Sequence, residues 1–257
     1  MIASPISAHS EFDRELTETR ARSAGMRVAS FIVAGQRFWL KQVEHHESWR
    51  KRHTKGDSHQ AFGREQDALR KMAVLGVPVP EIVAHGPDWI VLTDCGPTLE
   101  DMIRNEDYDH AEGLPAFEAA GQALAALHSA GLTHGRGKMK DFCWDGTQIR
   151  FIDLETDPAP FCPGTTGRDE LVNFVYHCHF VAFQTGRDLS AELRAFVRAY
   201  GQGGHAEVFS AARAWARRRW WLGWLMAPVG WLTPDRRSPD FKAASPTLVW
   251  LAYYLNA

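Results

Sequence analysis

Apolar positions follow a period of two over much of the first hundred residues and a period near 3.6 over most of the remainder. "RVASFIVAGQRFWLKQV" (27–43) alternates in patches and breaks at Ala34-Gly35-Gln36, which predicts a β-hairpin. "ESWRKRHTKGDSHQ" (47–60) is polar and basic and reads as a mobile loop. In "FGREQDALRKMAVL" the apolar Phe62, Leu69, Met72 and Leu75 recur at helical spacing and stop at Gly76. "VPVPEIVAHGPDWIVLTDC" (77–95) predicts two short strands joined at Gly86-Pro87, then a turn at Cys95-Gly96-Pro97. Beyond it, "TLEDMIRN", "LPAFEAAGQALAALHSAG", "GRDELVNFVYHCHFVAF", "SAELRAFVRAYG" and "AEVFSAARAWARRRWWLGWL" all read as helices. Short strands around "IRFIDLE" (149–155) interrupt them. The prediction is an α+β chain: a strand-rich lobe over 1–94 and a helical lobe over 95–257.

Composition narrows the picture without changing it. A chain of 257 residues is long enough for a substantial core, and 45% hydrophobic with 23% charged residues is ordinary for a soluble globular protein. The net charge of −2 gives no overall attraction to nucleic acid, so none is expected as a partner. The first twenty residues lack the basic start and apolar segment of a signal peptide. The cysteines, Cys95, Cys143, Cys162 and Cys178, form no C-x-x-C pair; this argues against a zinc or disulfide framework and suits a reducing cytoplasm.

Chemistry concentrates in "LHSAGLTHGRGKMKDFCWDGTQIRFIDLETD" (127–157). Asp153, after the apolar Phe151-Ile152, is an ionised group that needs a partner, either a metal ion or the backbone of a turn. Lys41 ends an apolar strand, and Glu65 sits on the helix that follows, with Asp67 as its rival. Taken alone, these are a solvent-facing lysine and surface helix acids.

The order of these features resembles the protein-kinase-like fold: Lys41 in "FWLK", Glu65 in "REQDALRKM", the hinge-like "LTDCGPTLED", His134 in "THGRGKMKD", and Asp153 in "RFIDLE". "ALAALHSAGLTHG" followed by "RFIDLE" is closest in style to bacterial lipopolysaccharide-core sugar kinases (heptose and Kdo kinases) and aminoglycoside phosphotransferases. The resemblance covers roughly residues 27–200. It implies a two-lobed fold and ATP-dependent phosphoryl transfer to a sugar hydroxyl. Lys41 would contact the nucleotide phosphates and be held by Glu65, while Asp141 and Asp153 would bind Mg²⁺. His134 would be structural, and Lys138 would neutralise charge near the transferred phosphate. A nucleotide would then be one ligand, and a lipid-linked sugar or a protein the acceptor.

Two features depart from that pattern. The position two after His134, where the resemblance implies a catalytic aspartate, holds Arg136, whose guanidinium stays protonated and cannot serve as a base. Arg136 is then either a grip on the γ-phosphate or an anionic acceptor, or the mark of a pseudokinase without transfer chemistry. A general base is typically worth ~10²–10⁴-fold, and Asp145 or Asp169 are substitutes by position. "ARSAGMR" (21–27) also lacks a G-x-G-x-x-G loop. Transfer of the adenylyl group is a third reading. Residues Trp220 to Leu232 carry no charge but fall short of the ~20 needed to span a bilayer. With Arg217, Arg218 and Arg219 before them, they suit either a buried terminal helix or peripheral contact with the inner membrane surface.

Overall fold

The computed structural model describes residues 5–43, 58–153, 160–219, 221 and 238–255. Ala34 and Gly35 both take positive φ, 49° and 81°, and this tight turn folds Val28–Val33 (β1) onto Gln36–Gln42 (β2). Two consecutive positive-φ residues match the twist of a short hairpin, and glycine holds the second at no steric cost. Ile82–His85 (β3) and Trp89–Thr93 (β4) form the second hairpin, giving one antiparallel sheet in the order β1-β2-β4-β3.

The chain divides into two compact units, the first reaching Cys95 and the second beginning at Gly96. In the first, two helices accompany the sheet. Ser58–Val74 (α2) buries Phe62, Leu69 and Met72 as the apolar spacing predicts, with Ala68 beside them, whereas Leu75 lies beyond the helix end and is exposed. It starts at Ser58, so the end of the polar stretch read as loop is helical, and the rest of that stretch lies outside the described residues.

Pro5–Arg22 (α1) is a helix that the sequence reading did not anticipate. Its Leu16 joins Phe31, Val33, Leu40 and Val91 in a buried cluster, with Phe12 and Phe38 packed against it. The Phe12, Phe31 and Phe38 ring centroids lie 5.3–5.6 Å apart. Arg20 stands over the Trp89 ring at 4.9 Å.

The second unit is helical around one small hairpin. Leu99–Arg104 (α3) begins with a capping box: Thr98 Oγ1 accepts from Asp101 N at 3.0 Å, and Asp101 Oδ2 accepts from Thr98 N at 3.2 Å. His110–Ser129 (α4), Arg168–Thr185 (α5), Ser190–Gln202 (α6), Ala206–Arg217 (α7) and Ser238–Tyr253 (α8) make up its main helices among the described residues. Gly121 lets α4 approach α6 closely, since a Cβ there would lie 2.2 Å from the Phe196 carbonyl oxygen. Phe174 stacks on Phe196 at 3.7 Å and meets Phe142 at 5.3 Å, so α5, α6 and the hairpin share one aromatic core. That hairpin is Phe142–Trp144 (β5) paired with Ile149–Phe151 (β6). Helix α8 lies beyond the span of the resemblance and packs on α5 and α7. The protein is therefore mixed α+β, with a small antiparallel sheet and a helical remainder.

Candidate functional site

Strand β2 alternates, burying Leu40 and turning Lys41 the other way. Lys41 Nζ lies 2.6 Å from Glu65 Oε1 on α2, with both side chains at least 86% covered (14% and 10% exposed). Arg27 stands 3.7 Å from the other carboxylate oxygen of Glu65. An ammonium held this firmly is preset to meet phosphate from one direction. The rival Asp67 is 67% exposed and faces Arg70 at 3.5 Å. Within the first unit, then, Lys41 and Glu65 are brought together and Asp67 is not part of the pair.

In the second unit the loop from Thr133 to Asp141 is tied down at three points. His134, buried, donates from Nε2 to the Ile152 carbonyl at 2.9 Å, while its Nδ1 faces the Gly137 amide at 3.5 Å. Its ring also stands 5.6 Å from Phe151 and 6.1 Å from Phe142. The imidazole thus links the loop to the residue before Asp153, a structural role. Gly135 and Gly137 both adopt positive φ, 99° and 58°, and flank the half-buried Arg136.

The third tie is Glu170, a residue the sequence reading passed over. On the first turn of α5 and 2% exposed, it accepts from the Gly135 backbone N–H with Oε1. Its Oε2 lies 2.8 Å from Nε2 of buried His128, whose Nδ1 meets the Tyr200 hydroxyl at 2.7 Å. A Cβ on Gly137 would come within 3.3 Å of Glu170, so loop and helix touch along their backbones. The only sequence signal was an acid in a helical first turn, where an ordinary dipole contact suffices as explanation.

Asp141 ends a single 3-10 turn (Met139–Asp141) and is fully buried. Its Oδ2 accepts from Lys138 N at 3.2 Å, and its own carbonyl accepts from Ile152 N at 3.0 Å. Oδ1 is buried with no hydrogen-bond partner among the described residues. Burial raises the Asp141 carboxyl above the usual range; His134, Lys140 and the Lys138 N–H oppose this, and the charge of Asp153 adds to it. Asp153 follows β6 in the left-handed region at φ 58°, an uncommon conformation for a non-glycine residue and one that gathers at functional sites. The two acids are therefore electrostatic neighbours. A buried carboxylate oxygen lacking a donor, beside a second carboxylate, fits a hard divalent cation such as Mg²⁺. Among the described residues no group of three or more His, Cys, Asp or Glu is arranged for a metal, so further ligands would come from phosphate or water.

Cationic and imidazole groups collect on the same side. Lys138, just before the 3-10 turn, and Lys140, within it, are half-buried, and the turn packs against α3 and α5. Burial lowers the His177 imidazole of α5 to about 4; Glu100 opposes this, and Lys138, Lys140 and Arg104 push it further down. The substitutes considered for a base are differently engaged. Asp145 Oδ1 accepts from Thr147 N, Thr147 Oγ1 and Gln148 N at 2.7–2.9 Å, closing the β5–β6 turn. Slight burial works against it, but these bonds hold that carboxyl at about 2. Asp169 is paired with Arg168 at 2.7 Å. Glu155 and most of the tryptophan-rich stretch lie outside the described residues. Trp221 is 49% exposed and donates to the Arg218 carbonyl at 3.1 Å, while Arg219 lies over Trp215 at 4.7 Å.

No family model matches the sequence. An uncharacterized protein of Haemophilus influenzae is 28% identical over 149 residues, which cover 57% of this chain and 60% of that protein. The EKC/KEOPS complex subunit BUD32 of Encephalitozoon cuniculi is 33% identical over 92 residues, 35% of this chain and 44% of that one. The chain thus covers less than two thirds of either relative. Among solved structures, the bifunctional kinase-methyltransferase WbdD is similar with a TM-score of 0.44 at 16% identity, over 70% of this chain and 45% of that one. APH(2")-IIa, solved as its gentamicin complex, is similar with a TM-score of 0.45 at 11% identity over the full length of both.

Proposed function

We propose that this protein binds a magnesium-bearing adenine nucleotide and transfers its γ-phosphoryl group to a sugar hydroxyl, in the manner of the lipopolysaccharide-core kinases it resembles. The observation that carries the reading is the buried, unpartnered Oδ1 of Asp141 beside Asp153. In this assignment Asp141 and Asp153 hold the ion, and Lys41, fixed by Glu65, contacts the nucleotide phosphates. Held there, the ion would supply positive charge that offsets what develops as the γ-phosphoryl group departs. The bond between the γ-phosphorus and the bridging oxygen breaks, the acceptor oxygen bonds to phosphorus, and the acceptor proton leaves to phosphate or water.

That last step explains how Arg136 is tolerated. Phosphoryl transfer passes through a loose transition state in which the acceptor hydroxyl is activated late, so positioning and charge outweigh a base. Arg136 and Lys138 act on the transferred group as donors, with Lys140 adding positive potential. Glu170 positions Gly135, and through it Arg136.

A second reading, a pseudokinase that binds nucleotide without transfer, is favoured by Arg136 together with the engaged state of Asp145 and Asp169. Incubation with ATP labelled at the γ-phosphate separates the two. Slow movement of label from ATP onto an acceptor or water, with ADP released in step, supports transfer, and its absence in the presence of tight MgATP binding supports the pseudokinase. Arg136→Asp supplies a base at the vacant position, so transfer rises by ~10²-fold or more if the rest of the loop is competent. Release of pyrophosphate in place of ADP would instead identify adenylyl transfer.

A further inference from the structure

Helix α6 presents Arg194, Arg198, Gly201 and Gln202 along one stripe, at the i, i+4, i+7 and i+8 spacing of a single helix face. Opposite stand Trp250 of α8 and Tyr254 just beyond its end, and buried Val197 of α6 and Phe209 of α7 complete the lining. Together they bound a groove of about 460 Å³, within the ~300–1,000 Å³ range of small-molecule sites. Gly201 is part of its construction, because a Cβ there would sit 3.0 Å from the Phe209 ring. Neither Arg194 nor Arg198 forms a hydrogen bond or ion pair with any described residue.

We propose that this groove binds a small phosphorylated sugar, its phosphate on the Arg194–Arg198 pair and its ring against Trp250 and Tyr254. Two guanidinium groups one turn apart offer paired donors to a phosphate. The aromatic faces pack the C–H face of a pyranose, and the Gln202 amide supplies both a donor and an acceptor for hydroxyls. An uncharged sugar leaves the arginines unmatched, and a bare phosphate leaves the aromatic wall exposed. The lining includes no residue of the Thr133–Asp141 loop and neither Asp141 nor Asp153, so the site is separate from the one assigned to the nucleotide.

Titration calorimetry with glucose 6-phosphate, glucose and inorganic phosphate tests the proposal on the intact chain. Glucose 6-phosphate binds, and the two fragments each bind at least ~10-fold more weakly. The Arg194→Gln/Arg198→Gln double variant, both side chains being exposed, keeps the wild-type melting temperature and its response to MgATP while losing ~10-fold or more in glucose 6-phosphate affinity. Tyr254→Ser, at a position 67% exposed, weakens glucose 6-phosphate but leaves inorganic phosphate unchanged. Equal binding of inorganic phosphate and glucose 6-phosphate, or no heat from any of the three, overturns the proposal, as does full affinity in the double variant.

Discussion

The buried oxygen of Asp141 has consequences for stability as well as for binding. A carboxyl that burial raises above its usual range is ionised at neutral pH only at a cost to the folded state. Asp141→Asn removes that cost while keeping an acceptor for Lys138 N. The variant is expected to melt above wild type at pH 7 without ligand and to lose the further rise that MgATP gives the wild type. His177 acts in the opposite sense. Its folded imidazole sits near 4 against an ordinary 6.5, so the unfolded chain takes up the proton first. Stability therefore falls as pH drops from about 6.5 toward 4, and His177→Gln flattens that part of the melting profile; an unchanged slope would remove the assignment. The pairing of Lys41 with Glu65 and the nearness of Asp141 to Asp153 were expected from the order of these residues in the sequence. The left-handed backbone of Asp153 and the hold of Glu170 on Gly135 were not, because each depends on a neighbour distant in the chain.

At the scale of elements, legibility followed apolar spacing. The β1–β2 hairpin was readable because alternation flanks Ala34-Gly35, and α4, α5 and α6 because their apolar stripes are long. Helix α1 escaped because its inward face carries Phe12 and Leu16 but then turns polar, with Thr19 and Ser23 buried in place of apolar residues. Helix α8 contains Pro246, which reads as a breaker, and its helical register is set by packing on α5 and α7. The α4–α6 contact offers a direct test. Gly121→Ala places a methyl group 2.2 Å from the Phe196 carbonyl, and the helices must separate, costing ~1–3 kcal/mol. Thermal denaturation should show a clear loss, and wild-type stability would mean that the two helices are not so closely apposed.

At the scale of the whole chain, the sheet-bearing unit contains the Lys41–Glu65 pair and the helical unit contains Asp141 and Asp153. Among the described residues no helix is long and apolar enough to cross a membrane. The shift from period two to period 3.6 along the chain announced the division into two units, whereas no pattern in the sequence specified the acceptor. The assignment stands on one nucleotide engaging both pairs. Calorimetric titration with ATP, with and without Mg²⁺, on wild type, Lys41→Ala and Asp153→Ala tests it most directly. The account predicts Mg²⁺-dependent binding by wild type, binding weakened ~10-fold or more in Lys41→Ala, and loss of the Mg²⁺ dependence in Asp153→Ala. Wild type that ignores ATP, or an Asp153→Ala variant that binds it with unaltered Mg²⁺ dependence, would contradict it.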